Sequence, residues 1–211
     1  MPVEIEIPLG SGDVMAANLG GKSANPTVIF AHGSGSSRHS RRNRHVAGVL
    51  EQAGFETLLL DLLTPQEEQV DTITREHRFD IALLTDRVIE AMAWLEKRGD
   101  AGRMGLFGAS TGAAAALGAA AARPGSTGAV VSRGGRPDLA GDDLERVEAP
   151  SLLIVGGNDP QVLELNREAL QRLNDESELE IVAGATHLFE EPGKLDEVAQ
   201  LAAGWFRRHL G

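Results

Sequence analysis

Apolar and polar residues alternate at positions 3–7 and again near 13–18, on either side of Gly10-Ser11-Gly12. A period of two broken by a glycine-rich turn predicts a β-hairpin. Beyond it the pattern changes. Short continuous apolar runs predict strands at about 27–32, 56–61, 103–108, 128–132, 151–156 and 178–183. Between them, longer amphipathic stretches predict helices at about 42–53, 80–98, 111–122, 161–174 and 192–210. Buried strands alternating with helices are the signature of a mostly parallel sheet covered on both faces. The expected fold is therefore α/β: a three-layer sandwich around a sheet of about eight strands, with residues 1–211 as a single domain.

The boundaries carry their own chemistry. Arg98-Gly99-Asp100 places a glycine where a long helix should stop. Pro150 and Pro160 fall just outside a strand, where a missing N–H does no harm. The stretch 62–79, polar and rich in Glu, reads as a long irregular loop at the carboxyl end of a strand, a usual place for a binding-site loop. Fewer than 20 residues separate Ser132 from Ser151, too few for an inserted helical cap, so any site at that edge should be shallow and open.

Composition narrows the classes. The net charge of −11 opposes general nucleic-acid binding. The absence of cysteine excludes disulfides, thiolate metal sites and a thiol nucleophile. The apolar runs are far below the roughly 20 residues of a membrane span, and the N-terminus alternates with acidic residues, unlike a signal peptide, so the default compartment is the cytoplasm. No His-Glu-x-x-His, Walker loop or dinucleotide fingerprint occurs.

The sharpest local signal runs from Arg103 to Leu117: an apolar strand, then Gly108-Ala109-Ser110-Thr111-Gly112, then an alanine-rich helix. Gly-x-Ser-x-Gly between strand and helix reads as a nucleophile elbow, the small residues allowing the sharp turn that lifts the serine above the sheet. The plainer reading makes Gly108 and Gly112 packing glycines and Ser110 a helix cap. A serine hydroxyl needs a base, so an elbow predicts an acid and then a histidine, each after a later strand. Asp159 follows Ser151–Gly156, and His187 follows the strand at about 178–183. Each could separately be a turn former or a loop histidine, but together they fall in the predicted order. The second oxyanion donor, beside the N–H of Thr111, is assigned to the N–H of Ser34 in the loop His32-Gly33-Ser34-Gly35-Ser36, with Gly35 as its alternative. His32 itself is assigned a structural hydrogen bond.

The motifs Ala31-His32-Gly33-Ser34-Gly35, Gly108–Gly112, Gly157-Asn158-Asp159 and Gly184–Phe189 resemble the dienelactone hydrolase branch of the α/β-hydrolases, from about residue 25 to the C-terminus. The resemblance implies ester or lactone hydrolysis through an acyl-enzyme, with no cofactor. One departure is plain: the name-giving enzymes use cysteine where this chain has Ser110, which favours a general carboxylesterase. The same triad would also serve acyl transfer or thioester cleavage. A rival of another class is a non-catalytic, regulatory module for a phosphorylated ligand, since such domains can accompany phosphoribosyltransferases.

Two arginine clusters remain. Arg38-His39-Ser40-Arg41-Arg42-Asn43-Arg44 sits at a helix start, where cations oppose the helix dipole, and Arg133-Gly134-Gly135-Arg136 follows a strand beyond the elbow. Arg133 first, then Arg136, Arg38 and Arg41, are candidates to orient an anionic small-molecule ester by bidentate contact. The competing reading pairs them with the acidic stretch 66–71 and other surface carboxylates.

Overall fold

The computed structural model describes residues 2–22, 26–99 and 102–211; Met1 and Asp100, which the sequence reading touched, lie outside the described residues. Eight strands form one sheet: β1 (Val3–Pro8), β2 (Val14–Gly20), β3 (Thr27–Ala31), β4 (Glu56–Leu60), β5 (Met104–Ala109), β6 (Thr127–Arg133), β7 (Ser151–Gly156) and β8 (Glu178–Val182). Their order across the sheet is β1-β2-β4-β3-β5-β6-β7-β8. The first two strands make the expected hairpin, in register from Val3↔Leu19 to Pro8↔Val14, and β2 is antiparallel to β4. From β4 to β8 every neighbour is parallel, which requires each connection to cross a face of the sheet. The outer strands carry exposed glutamates, Glu4 and Glu6 on β1 and Glu178 and Glu180 on β8.

Those crossovers supply the two helical layers. Helices α1 (Arg41–Gln52) and α6 (Lys194–Leu210) cover one face, where Val46, Leu50, Val198, Ala202 and Phe206 pack on Phe30, Phe107 and Val131. On the other face lie α3 (Ile81–Arg98), α4 (Thr111–Ala122) and α5 (Pro160–Leu170), whose Leu84, Val88, Leu95, Leu117 and Ala169 pack on Ile29, Leu58, Leu106 and Leu153. Helix α4 is buried from Thr111 to Ala121, apolar all round as a central helix must be. Gly99 ends α3 in the left-handed conformation, φ 85°.

One element departs from the sequence reading. Within 62–79 lies a further helix, α2 (Pro65–Thr74), followed by a 3₁₀ turn at His77–Phe79. It has no apolar stripe, since Asp71 is its one buried residue, so periodicity does not reveal it. It begins on a capping box instead: Glu67 N–H donates to Thr64 Oγ1 while Thr64 N–H donates to the Glu67 carboxylate, with Pro65 in the first turn. Likewise Pro137–Arg146 forms 3₁₀ turns kinked at Gly141.

His32 ties the carboxyl ends of the central strands together. Leu62 N–H, just past β4, donates to His32 Nε2 at 3.1 Å, which leaves the ring proton on Nδ1 to donate to the Gly33 carbonyl at 2.9 Å. Burial pushes the His32 pKa down, overriding the hydrogen bond to Gly33 that works to raise it. A depressed histidine favours folding fully above its unfolded value and loses that contribution as pH falls through the folded one. Stability should therefore decline below about pH 6.5. In chemical denaturation at stepped pH, His32→Gln, which can still accept from Leu62, should flatten that acid decline. An unchanged slope would assign the decline to other groups.

Candidate active site

Strand β5 delivers Ser110 into a backbone conformation that residues with a side chain seldom adopt, φ 51° and ψ −121°. Its neighbours over-determine that turn. Ser110 N–H donates to the Arg133 carbonyl at 3.3 Å, and the Ser110 carbonyl accepts from Arg136 N–H and Ala113 N–H, both at 3.1 Å. Helix α4 starts hard against the end of β3: a Cβ on Gly112 would lie 2.3 Å from the Ala31 carbonyl oxygen, so no larger residue fits. A Cβ on Gly33 would similarly meet the Ser110 side chain at 3.0 Å. Although Ser110 occupies the N-cap position of α4, its side chain makes no capping hydrogen bond.

Beside it runs the loop 33–36. Ser36 N–H donates to the Gly33 carbonyl at 3.2 Å, the same oxygen that His32 Nδ1 reaches. The N–H groups of Ser34 and of Thr111, the first residue of α4, have no acceptor among the described residues. Helix α2 backs this loop. Its buried Asp71 accepts from Arg78 N–H at 2.9 Å and Nε at 2.6 Å, and Arg78 Nη1 lies 3.3 Å from where a Cβ on Gly35 would stand.

Asp159 and His187 come together from the loops after β7 and β8. His187 Nδ1 lies 2.7 Å from Asp159 Oδ2, a carboxylate that makes no capping bond to its own helix, α5. The two loops are fastened to each other by Gly157 N–H to the Val182 carbonyl and Asn158 N–H to the Ala185 carbonyl, both 2.9 Å. Glu191 holds the His187 loop from below, accepting from Thr186 N–H at 3.1 Å and Oγ1 at 2.6 Å. Buried Phe189 anchors the same loop with a positive φ of 56°. Ser110 and His187 face one cavity of about 200 Å³ with Ser34, Arg42, Asn43 and Arg133. Ser110 and His187 line the cavity together without a hydrogen bond between their side chains among the described residues.

The arginines separate into two kinds. Arg136 makes a bidentate pair with Asp138, both contacts at 2.8 Å. Arg38 bonds Asp61 and reaches Asn18 Oδ1 at 3.2 Å, and Arg41 is exposed. None of these three lines the cavity. Arg133 does, and only 7% of it is exposed. Its one side-chain hydrogen bond among the described residues is Nη2 to Asn43 Oδ1 at 3.4 Å, while Nε and Nη1 are buried without a partner there. Burial, followed by the neighbouring charge of Arg42, pushes its pKa down to about 10. Arg42, which the sequence reading passed over for its neighbours, lines the same cavity; its Nη1 bonds Glu190 at 3.1 Å and its Nε is buried and unpartnered. A helical signal does exist: Asn43, Val46, Ala47 and Leu50 form the buried stripe of α1, which turns Asn43 inward with Arg42 at its margin.

A dienelactone hydrolase from Anabaena variabilis is 51% identical, with a TM-score of 0.94 covering 99% of this chain and 98% of that one. Est1E from Butyrivibrio proteoclasticus shares the fold at 15% identity, with a TM-score of 0.82 and 98% of each chain covered. Two Mycobacterium tuberculosis proteins, named as candidate phosphoribosyl transferases, are 59% identical over 185 residues, 87% of this chain. The chain spans only 41% of the length of those relatives. The model of the dienelactone hydrolase family matches residues 15–210, an extent that takes in both strands and helices of every layer, and the chain belongs to that family of α/β-hydrolases.

Proposed function

We propose that the protein is a serine hydrolase that cleaves a carboxylic ester or lactone through an acyl-enzyme on Ser110. The observation that carries this reading is one juxtaposition. A serine held in a strained turn, free of capping bonds, shares a cavity with a histidine whose far nitrogen is fixed by a carboxylate at 2.7 Å. Strain of this kind persists where the surroundings enforce it and is common at reactive sites.

In this mechanism His187 Nε2 takes the proton as Ser110 Oγ attacks the ester carbonyl. Asp159 keeps the other ring proton on Nδ1 and stabilises the imidazolium. The free N–H groups of Ser34 and Thr111 receive the oxyanion, aided by the positive end of α4. Collapse breaks the ester bond, and His187 returns its proton to the departing alkoxide. A water, deprotonated by His187, then attacks the acyl carbonyl and releases the acid and Ser110. In a lactone the alcohol stays tethered to the acid. The chemistry needs no cofactor. The transferase in the names of the mycobacterial relatives belongs to proteins of which this chain spans 41%, and the residues here favour acyl chemistry.

A fluorophosphonate probe should label Ser110, as read by mass spectrometry, and the label should disappear in Ser110→Ala and His187→Ala. A folded native chain that takes no label would overturn the reading. Asp159→Asn should keep the fold and lower kcat on an activated ester by about 10,000-fold, the scale seen when a triad carboxylate is neutralised.

A further inference from the structure

Arg133 stands apart from the other buried or half-buried arginines of the chain. Arg78 pairs with Asp71, Arg87 with Glu67, Arg98 with Glu56 and Arg123 with Glu96. Carboxylates are plentiful, 31 against 20 lysines and arginines. Yet Arg133, more buried than most of these, has none among the described residues, and two of its nitrogens are orphaned there. A buried charge without a counter-charge is among the costliest arrangements in a protein. A fold that keeps one in the wall of its reactive cavity is built to meet an anion that arrives and leaves.

The surroundings describe that anion. Arg42 brings a second guanidinium with an orphaned Nε to the same cavity. Ser34, Ser36 and Ser40 also line it, and among the described residues that line it none carries a carboxylate. The N-terminus of α1, capped by Ser40, opens there too, adding its positive end to the two arginines. This accounts for cations at a helix start, where they weaken the helix itself. The unpaired guanidinium of Arg133, the free Nε of an Arg42 otherwise bonded to Glu190, and the neighbouring serines offer more donors than the two oxygens of a carboxylate take up, and they match the three acceptor oxygens of a phosphoryl group.

We propose that the substrate of this hydrolase is a small ester bearing a phosphoryl group, which Arg133 and Arg42 hold beside Ser110 while the ester bond, not the phosphate, is cleaved. The inference rests on the reading of Ser110 as nucleophile. The cavity of about 200 Å³ requires phosphate and scissile ester to lie a few atoms apart on one molecule.

Calorimetric titration of inorganic phosphate into Ser110→Ala protein tests the subsite without turnover. One phosphate should bind per chain, more tightly than acetate or succinate. Arg133→Gln should weaken it by about 30-fold or more, as expected when one partner of a buried charge contact is removed, and Arg42→Gln should weaken it less. Because Arg133 is unpaired, Arg133→Met should melt no lower than the parent without phosphate, yet lose the rise in Tm that phosphate gives. A purely structural arginine would do the reverse. No phosphate binding, equal binding of succinate, or phosphate binding untouched in Arg133→Gln would overturn the inference. If Ser110 takes the fluorophosphonate while phosphate fails to bind, the subsite is wrong and the hydrolase stands. Phosphate bound to a chain whose Ser110 takes no label would keep the subsite and remove the hydrolase.

Discussion

Three backbones meet where β3, β5 and α4 converge, and they meet too closely for side chains. The first turn of α4 lies against the carbonyls of Ala31 and His32, so Gly112 has no room for a methyl group. Ser110 is forced through a turn that ordinary residues avoid. This contact sets the height of Ser110 above the sheet and aims the start of α4 at the loop 33–36. The remaining parts of the site are placed relative to it. Arg133 is the strand partner of Ala109, and the loops after β7 and β8 bring Asp159 and His187 to the same edge.

The site is held by backbone more than by its own side chains. The turns carrying Asp159 and His187 are bonded main chain to main chain, and the loop carrying Ser34 is joined to His32 through the Gly33 carbonyl. Such scaffolding leaves the side chains proposed to react free of structural duties. Ser110 does not cap α4, and Asp159 does not cap α5. Arg133 is the extreme instance, since its guanidinium has almost nothing to do within the folded chain.

Most of the fold was legible because buried parallel strands are written as continuous apolar runs, and the hairpin as alternation. The strand-turn-helix context of Gly108–Gly112 located Ser110, and chain order located Asp159 and His187. Helix α2 was not legible as a helix, because it rests on a capping box and a buried aspartate rather than on an apolar face. Among the arginines, Arg133 was found because it stands at the end of an apolar strand, a local property. Arg42 was not, since which of four nearby arginines faces inward depends on how α1 is rotated over the sheet, and tertiary packing decides that. The commitment of Arg38 to Asp61 and of Arg136 to Asp138 likewise depends on contacts that only the folded loops create.

The two outermost strands have a consequence for crowding in concentrated solution. Among the described residues each leaves a row of main-chain donors and acceptors without a neighbour, and such a row invites a further strand from another molecule. Here both rows are flanked by carboxylates, Glu4 and Glu6 on one side and Glu178 and Glu180 on the other, and Pro8 adds a residue with no N–H to offer. Glu4 and Glu178 are partly offset by Arg38 and Arg208, but Glu6 and Glu180 would face like charges in such a pairing, which works against the sheet growing into a fibre.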